Sequence, residues 1–227
     1  TYVDAMLKEM TFTARLMKDK TLDTFYMGGG TPTTLEAGQL DRVLGFFEST
    51  FDTSKLKEYT IEAGRPDSIT KDKLMVMKHH GVNRISINPQ TMNDDTLKLI
   101  GRHHTVSQVK EAFKLARGCG FDNINMDLII GLPGETEEHI KRTMDEVAAL
   151  APDSLTVHSL AIKRAANLNI FWEKYKAYSM INTDDIINMT ADCASAMGME
   201  PYYLYRQKNM AGNFENVGYS KPGREGI

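Results

Sequence analysis

Residues 124–134, INMDLIIGLPG, decide the predicted fold. The first seven form the most strand-like run in the chain, apolar throughout except for Asn125 and Asp127. The turn Gly131-Leu132-Pro133-Gly134 follows, and residues 136–150 then carry Ile140, Met144 and Val147 at helical spacing. A strand that passes through a short turn into an amphipathic helix predicts one β-α unit.

The same alternation of strand and helix extends in both directions from this unit. Strands are predicted at 24–27, 59–62, 84–87, 154–159 and 202–205, and helices at 36–49, 70–80, 105–118 and 184–197. Thr105 and Gln108 have the spacing of a capping box, which marks the start of one of these helices. Alternation repeated this often predicts parallel strands joined by crossover helices, as in an α/β barrel or a doubly wound sheet.

The composition is that of an ordinary globular chain. Among 227 residues, 41% are hydrophobic and 25% are charged, with a net charge of -3, which argues against a nucleic-acid-binding surface. No apolar run reaches the length of a membrane span, and no signal-peptide pattern is present. Cys119 and Cys193 lie far apart and suggest reduced thiols. We expect a cytoplasmic protein with neither nucleic acid nor membrane as partner.

Both ends of the chain predict a fragment. The first helical pattern, which contains Met6, Leu7 and Met10, has no strand before it, and residues 223–227 stop without a closing element. A barrel that lacks its first strand would expose an unpaired sheet edge and tend to associate. We predict a single partial barrel domain over residues 1–227, with a C-terminal region starting from about residue 200.

The unusual residues fall where the predicted strands end. The run GGGTP at 28–32 follows the first strand, Glu62 ends the second, Gln90 follows the third, and Asp127 interrupts the fourth. The carboxyl ends of strands are the edge at which α/β barrels and open α/β sheets build their ligand sites. Their shared location therefore predicts a binding site.

Each of these residues also has a purely structural interpretation. Three glycines can let a ligand approach the backbone, or they can form a flexible turn. Glu62 can bind a ribose diol or an ammonium group, or it can face solvent. Asp127, a carboxylate in an apolar strand, needs either a ligand or a structural partner such as Arg102 or a helix N-terminus. Arg102 suits a ligand carboxylate or a surface ion pair.

The histidines do not predict a metal site. His79 and His80 are adjacent, as are His103 and His104, so their side chains diverge instead of converging on one ion. His158 lies on a predicted strand, where it can line a pocket or occupy the core. The tyrosines at 202, 203 and 205 fit either strand packing or the mouth of a pocket.

One family is similar to the chain along most of its length. FYMGGGTP at 25–32 resembles the glycine motif of radical S-adenosylmethionine (SAM) enzymes related to oxygen-independent coproporphyrinogen oxidase. The similarity continues through IEA at 61–63, VNRISI at 82–87, LIGRH at 99–103 and NINMDLIIGLPGET at 123–136, and it spans about residues 22 to 162. The tail YRQKNMAGN at 205–213 resembles a coproporphyrinogen dehydrogenase subgroup of the HemZ type. The resemblance implies a partial, TIM-like radical SAM barrel.

The resemblance also implies roles for individual residues. It implies that Gly29, Gly30 and Thr31 meet the amino group of SAM. Three further positions match contacts to the methionine part of SAM and the nearby ribose: Glu62, Gln90 and Arg102. Asp127 matches the residue that holds the ribose hydroxyls, and Ala161 matches an adenine contact.

The chemistry implied by the family needs a [4Fe-4S] cluster held by a CxxxCxxC loop, and this chain contains no such motif. The resemblance therefore implies that the complete protein carries the cluster, and that the chain as given performs no turnover. A coproporphyrinogen III substrate, oxidised at its propionates, and an electron donor follow as implied partners. The same family includes haem chaperones, and a radical SAM enzyme with another substrate stays open. Two departures lie near the SAM positions, Gly64-Arg65-Pro66 and Asn88-Pro89.

Overall fold

The computed structural model describes residues 1–161, 170, 172–206 and 210–226. Helices and strands alternate as the sequence predicts. The helices are α1 (Tyr2–Leu16), α2 (Ala37–Thr50), α3 (Lys71–His79), α4 (Asp94–Leu99), α5 (Val106–Gly118), α6 (Glu137–Leu150), α7 (Trp172–Tyr175) and α8 (Asp184–Ala196). The strands are β1 (Thr24–Met27), β2 (Glu58–Glu62), β3 (Arg84–Ser86), β4 (Ile124–Ile130), β5 (Ser154–Ser159), β6 (Glu200–Tyr205) and β7 (Asn216–Ser220).

The strands form one sheet in the order β1-β2-β3-β4-β5-β7-β6, which curls into half of a barrel. Strands β1 to β5 are parallel neighbours, so crossover helices return the chain to the same edge each time. Strand β7 is antiparallel to both β5 and β6, and β6 therefore runs in the same direction as β1 to β5. The predicted partial α/β barrel is confirmed, with one antiparallel strand that the prediction did not include.

The outer face of the sheet is apolar and packs under the helices. Alternate residues of the strands, such as Ile61, Ile85, Met126 and Leu155, are fully buried there. Helix α2 presents Leu40, Leu44 and Phe47 of its predicted apolar face to them, while Val43 of the same face packs with Val3 and Leu7 of α1. Burial of each large apolar side chain contributes about 1.5–3 kcal/mol, so this layer is the main source of stability.

The inner face of the sheet is polar, unlike the bulky apolar filling of a complete TIM barrel. Paired positions along it carry Thr60 beside Arg84 and Asn125 beside Ser154. At the amino-terminal ends of the strands, which form the floor of the half-barrel, Arg84 lies 3.7 Å from a carboxylate oxygen of Glu58. It also donates to the Ser154 hydroxyl over 3.3 Å. A polar inner face leaves the half-barrel suited to a polar ligand.

Three elements were absent from the sequence predictions: helix α4, the four-residue helix α7 and strand β7. Helix α4 has only six residues, too few for an apolar periodicity to show. Strand β7 contains Gly218, which weakens its strand signal. The added Cβ of an alanine at Gly218 would lie 2.0 Å from the Tyr203 ring, so this glycine makes room for a side chain of β6.

The predicted capping box of α5 is confirmed, because Thr105 accepts from the Gln108 backbone and Gln108 accepts from that of Thr105. Within the described part of the chain, no helix is both long and apolar enough to cross a bilayer.

Candidate functional site

The glycine loop after β1 is tied to the end of β2. The backbone N–H of Gly29 donates to the carboxylate of Glu62, and the hydroxyl of Tyr26 donates to the same carboxylate. Gly29 adopts φ +83°, a left-handed conformation that favours glycine. The predicted neighbours Gly29 and Glu62 are therefore brought into direct contact.

Gly28 makes this contact possible, although the sequence prediction gave it no role. A Cβ added at Gly28 would lie 2.3 Å from Cε1 of Tyr26 and 2.8 Å from Oε2 of Glu62. Real Cβ atoms do not approach that closely, so any larger residue at this position would have to displace the side chains of Tyr26 and Glu62. The glycine run is thus a packing requirement at its first residue as well as a flexible turn.

Glu62 is poised to attract a cation. Partial burial raises the pKa of the Glu62 carboxyl, the Gly29 hydrogen bond opposes that rise, and the nearby charge of Asp127 adds to it. Partial burial of the Tyr26 hydroxyl, together with the charges of Glu62 and Asp127, raises the pKa of Tyr26 to about 12. A bound ammonium group would relieve the repulsion between the two carboxylates.

Gln90 and Asp127 form the second predicted pair that the structure brings together. The backbone N–H of Gln90 donates to the Asp127 carbonyl over 3.0 Å, and the Ile129 N–H donates to the Gln90 carbonyl over 2.9 Å. Gln90 has φ +68°, an uncommon value for a residue with a side chain. These two hydrogen bonds to β4 hold Gln90 in a strained conformation at the end of β3, as is typical of functional sites.

Asp127 is half-buried on the inner face, and its partners differ from the structural partner considered from the sequence. Asn125 donates to its Oδ1 over 2.7 Å, and Nε2 of His158 lies 3.9 Å from its Oδ2. Arg102 is not among these partners, so the suggested Asp127–Arg102 pair is wrong. His158 is 27% exposed in its side chain, which answers the open question about it in favour of the inner face.

Arg102, Thr31 and Ala161 occupy separate parts of the rim. Arg102 follows α4 and is exposed, while the surrounding protein partly desolvates its guanidinium and, with the charge of Arg65, lowers its pKa. Within the described residues, no hydrogen bond or ion pair joins the Arg102 side chain to another group. Thr31 precedes the 3-10 turn Pro32–Thr34, and Ala161 pairs with Met210 beyond the end of β5.

Lys73 fixes the glycine loop from below. Its Nζ is buried and donates to the Thr33 carbonyl over 2.8 Å and to the Ser68 carbonyl over 3.3 Å. The hydroxyls of Thr33 and Ser68 are also 2.6 Å apart. One ammonium group therefore joins the loop after β1 to the loop after β2.

A buried polar network supports the Gln90 segment. Thr91, Asn93, Glu135 and Thr143 are each at most 3% exposed. The Glu135 carboxylate accepts from the Thr91 hydroxyl over 2.5 Å and from the Asn93 amide over 2.9 Å, and the Thr143 hydroxyl accepts from the same amide over 3.1 Å. The network connects the loop after β3, the turn after β4 and helix α6.

Glu135→Gln is expected to lower the free energy of unfolding by about 1–3 kcal/mol. Both donors go to the same oxygen, Oε1, and a neutral amide oxygen accepts more weakly than a carboxylate oxygen. Urea denaturation measures the change. Glu9→Gln, on the exposed side of α1, is the matched control and should stay within about 0.5 kcal/mol of the unaltered protein. Equal stability of the two variants would contradict the role given to Glu135.

The sequence pattern that defines the Radical SAM superfamily matches residues 7–147 of this chain. The chain belongs to the radical SAM superfamily. The family resemblance stated from the sequence is thereby confirmed. SAM and a [4Fe-4S] cluster are the cofactors of this superfamily.

Radical SAM proteins connected with haem are among its relatives. The chain is 46% identical over 210 residues to the oxygen-independent coproporphyrinogen-III oxidase-like protein HemZ of Bacillus subtilis (strain 168), covering 92% of this chain and 42% of that protein. It is 37% identical over 163 residues to the heme chaperone HemW of the same organism, covering 71% and 43%. The solved coproporphyrinogen III oxidase HemN from Escherichia coli superposes with a TM-score of 0.78 at 25% identity, covering 98% and 48%.

The chain thus spans less than half the length of these radical SAM relatives. The similarity to HemZ extends over nearly the whole chain, as the sequence of the tail predicts, although residues 207–209 of that tail lie outside the described residues. The comparisons establish the superfamily and leave the individual contacts to SAM as proposals.

The residues of the rim fit SAM, whose amino-acid end carries an ammonium and whose ribose carries a diol. A cavity of about 310 Å³ lies between helix α1 and the glycine loop. It is lined by Tyr2 and Met6 on the helix side and by Gly28 to Thr31 on the loop side, and Glu62 and Asp127 lie outside it. Two carboxylates, those of Glu62 and Asp127, lie at this edge of the sheet, and the charge of Asp127 helps to raise the pKa of Glu62. The carboxylate and backbone carbonyl oxygens at this edge are acceptors, as the ammonium and hydroxyl groups of the cofactor require.

The residues present do not fit the cluster. The sequence has two cysteines, fewer than the three thiolates that the family's motif requires. Cys119 caps α5 and Cys193 lies in α8, both beneath the outer helices. Within the described residues, no three His, Cys, Asp or Glu side chains are grouped to hold a metal.

Proposed function

We propose that this chain forms the SAM-binding half-barrel of a protein that oxidatively decarboxylates the propionate side chains of coproporphyrinogen III. One observation carries this proposal. At one edge of the sheet, Glu62 is hydrogen-bonded to Gly29 of the glycine loop, and the backbone of Asp127 is hydrogen-bonded to that of Gln90. The similarity to HemZ and HemN supports the choice of substrate.

The chain's own residues have distinct tasks in this proposal. Glu62, with the carbonyl oxygens of Gly29, Gly30 and Thr31, would hold the SAM ammonium. Arg102 would take the SAM carboxylate through its guanidinium fork. Gln90 would contact the methionine part of SAM and the nearby ribose.

The nucleoside end would be held on the neighbouring strands. Asp127, oriented by Asn125, would accept from both ribose hydroxyls, while Ala161 would border the adenine. Fixing both ends of the cofactor would orient it at this edge of the sheet, because proximity and orientation are the protein's contribution to rate.

At each propionate, one hydrogen atom would be lost from the carbon bonded to the ring. The cofactors bound in the complete protein would supply the one-electron chemistry for this loss. The carbon–carboxylate bond then breaks, releasing carbon dioxide, and one electron passes to an acceptor as the vinyl double bond forms. An external electron donor is needed to begin each cycle and an electron acceptor to end it.

The decisive experiment uses the complete protein with its cluster reconstituted without oxygen. After addition of SAM, a reductant and coproporphyrinogen III, mass spectrometry should detect loss of carbon dioxide from the substrate, and chromatography should detect 5′-deoxyadenosine. A reconstituted cluster and bound SAM without decarboxylated product would contradict the proposed reaction.

A haem chaperone is the second candidate, and the 37% identity to HemW favours it. It would keep the SAM site and carry haem in place of oxidising a porphyrinogen. Stoichiometric haem binding and transfer to an apo-haemoprotein, in the same preparation that fails to decarboxylate, would support it.

The raised pKa of Glu62 predicts a pH dependence of SAM binding. An ammonium binds the ionised carboxylate, so affinity should be constant at neutral pH and fall by up to about tenfold per pH unit below the raised pKa of Glu62. Titration calorimetry at several pH values between about 5 and about 7.5 measures this dependence, because the ionisation of one carboxyl spans roughly two pH units. Glu62→Gln should bind weakly without the acid fall; a variant that keeps the fall would contradict the assignment.

A further inference from the structure

The far end of the inner face, formed by β5, β7 and β6, carries side chains that the SAM site does not use. Gly218 of β7 is paired with Thr156 of β5, which is itself paired with Asp127 of β4. Directly paired residues in a sheet point to the same side. Gly218, Thr156 and Asp127 therefore mark one continuous inner surface.

Tyr203 of β6 lies flat on that surface. A Cβ at Gly218 would lie 2.0 Å from Cε1 and 2.4 Å from Cδ1 of the Tyr203 ring, so the ring covers the glycine. The Tyr203 hydroxyl is hydrogen-bonded to that of Thr156. Because Gly218 has no side chain, the aromatic ring of Tyr203 can lie inside the half-barrel.

Tyr205 continues this aromatic surface toward the SAM edge. Its ring is stacked on that of Tyr203 at 6.2 Å between centroids and 11° between planes. Because β6 runs in the same direction as β1 to β5, its C-terminal residue Tyr205 lies at the edge that carries the glycine loop and Gln90. Both rings are 38% exposed, which leaves area for a ligand.

His158 stands beside this pair on β5. It lies one layer above Thr156 on the same face, and its Nε2 is 3.9 Å from Asp127. Among the described strand residues of the inner face, only His158 and Arg84 can carry positive charge, and Arg84 is buried at the floor against Glu58. A ligand carboxylate that enters past Glu62 and Asp127 therefore finds its favourable partner at His158.

We propose that Tyr203, Tyr205 and His158 form the substrate wall of the half-barrel, which receives an aromatic pyrrole ring on the tyrosine pair and its carboxylate side chain on His158. The exposed tyrosine faces would bind the ring by stacking, and the imidazole of His158 would donate a hydrogen bond to the carboxylate. This proposal rests on the proposed function and names the residues that would select its substrate class.

The test measures binding of coproporphyrin III and of its tetramethyl ester to the complete, cluster-loaded protein by porphyrin fluorescence, with SAM affinity measured separately by calorimetry. Tyr205→Ala should weaken both porphyrins about tenfold, while Tyr205→Phe keeps affinity within about twofold, because stacking needs the ring alone. His158→Gln should weaken the free acid about tenfold and leave the ester unchanged. SAM affinity should change by less than about twofold in the two Tyr205 variants.

Leu204→Ala is the matched control, because Leu204 is 68% exposed on the opposite side of β6. Porphyrin affinity equal to that of the unaltered protein in both Tyr205→Ala and His158→Gln would overturn the wall, as would an equal loss in Leu204→Ala. The test also distinguishes this proposal from the proposed reaction. If the protein binds porphyrin through these residues but releases no carbon dioxide, the substrate wall is supported and the decarboxylation is contradicted.

Discussion

Asp127→Asn is expected to weaken SAM binding about 10- to 100-fold, the largest effect of any single substitution considered for this chain. The substitution removes the charge that would accept from both ribose hydroxyls, and such charge-assisted bonds contribute about 1.5–3 kcal/mol. Asparagine keeps the shape of the side chain and can still accept from Asn125, which donates over 2.7 Å. The free energy of unfolding should therefore change by less than about 1 kcal/mol.

Calorimetric titration of SAM and urea denaturation of the same preparation check these two expectations together. Asp145→Asn is the control, because it makes the same chemical change on the outer helix α6, in an exposed pair with Lys141. SAM affinity that is the same in Asp127→Asn and Asp145→Asn would remove Asp127 from the site. An unfolded Asp127→Asn protein would instead show that the carboxylate is needed for the fold.

Gly28→Ala is expected to weaken SAM binding at least about tenfold through Glu62, a residue it does not replace. The new methyl group would stand 2.3 Å from the Tyr26 ring and 2.8 Å from the Glu62 carboxylate. Both are ends of flexible side chains, so they would rotate away and the chain would still fold, at a cost of about 1–3 kcal/mol. The displaced Glu62 would lose its bond from Gly29, and with it the position that receives the SAM ammonium.

Gly38→Ala tests whether this effect is specific. Gly38 lies in the first turn of α2, and an added Cβ there meets nothing within 4 Å. Alanine in a helix is more favourable than glycine by about 1 kcal/mol, so this control should be at least as stable as the unaltered protein and bind SAM equally. A Gly28→Ala protein that binds SAM as Gly38→Ala does would contradict the packing argument.

The fold could be predicted from the sequence because the local patterns agree with the global one. The apolar run at β4 and the periodic apolar face of α2 both emerge where predicted, and the capping residues of α5 do as well. The location of the candidate site was predictable for the same reason. Parallel strands bring their carboxyl ends to one edge whatever the details of packing, so Glu62 and Asp127 had to meet there.

Contacts between side chains of distant segments could not be predicted. The need for Gly28 arises only when β2 places Glu62 across from it, and His158 reaches Asp127 only through the register of β4 and β5. The isolated sequence gave no measure of either distance. The sequence analysis also considered Arg102 as a partner for Asp127, because a guanidinium is chemically suited to pair with a carboxylate. The separation of the two positions in space decided against it.

The double attachment of Lys73 constrains how the rim can move. Because one buried ammonium holds the carbonyls of Thr33 and Ser68 together, the loops after β1 and β2 cannot open separately without leaving a lysine charge unsatisfied. The two loops are therefore expected to move together, so that a ligand that displaces the glycine loop would also shift the loop after β2.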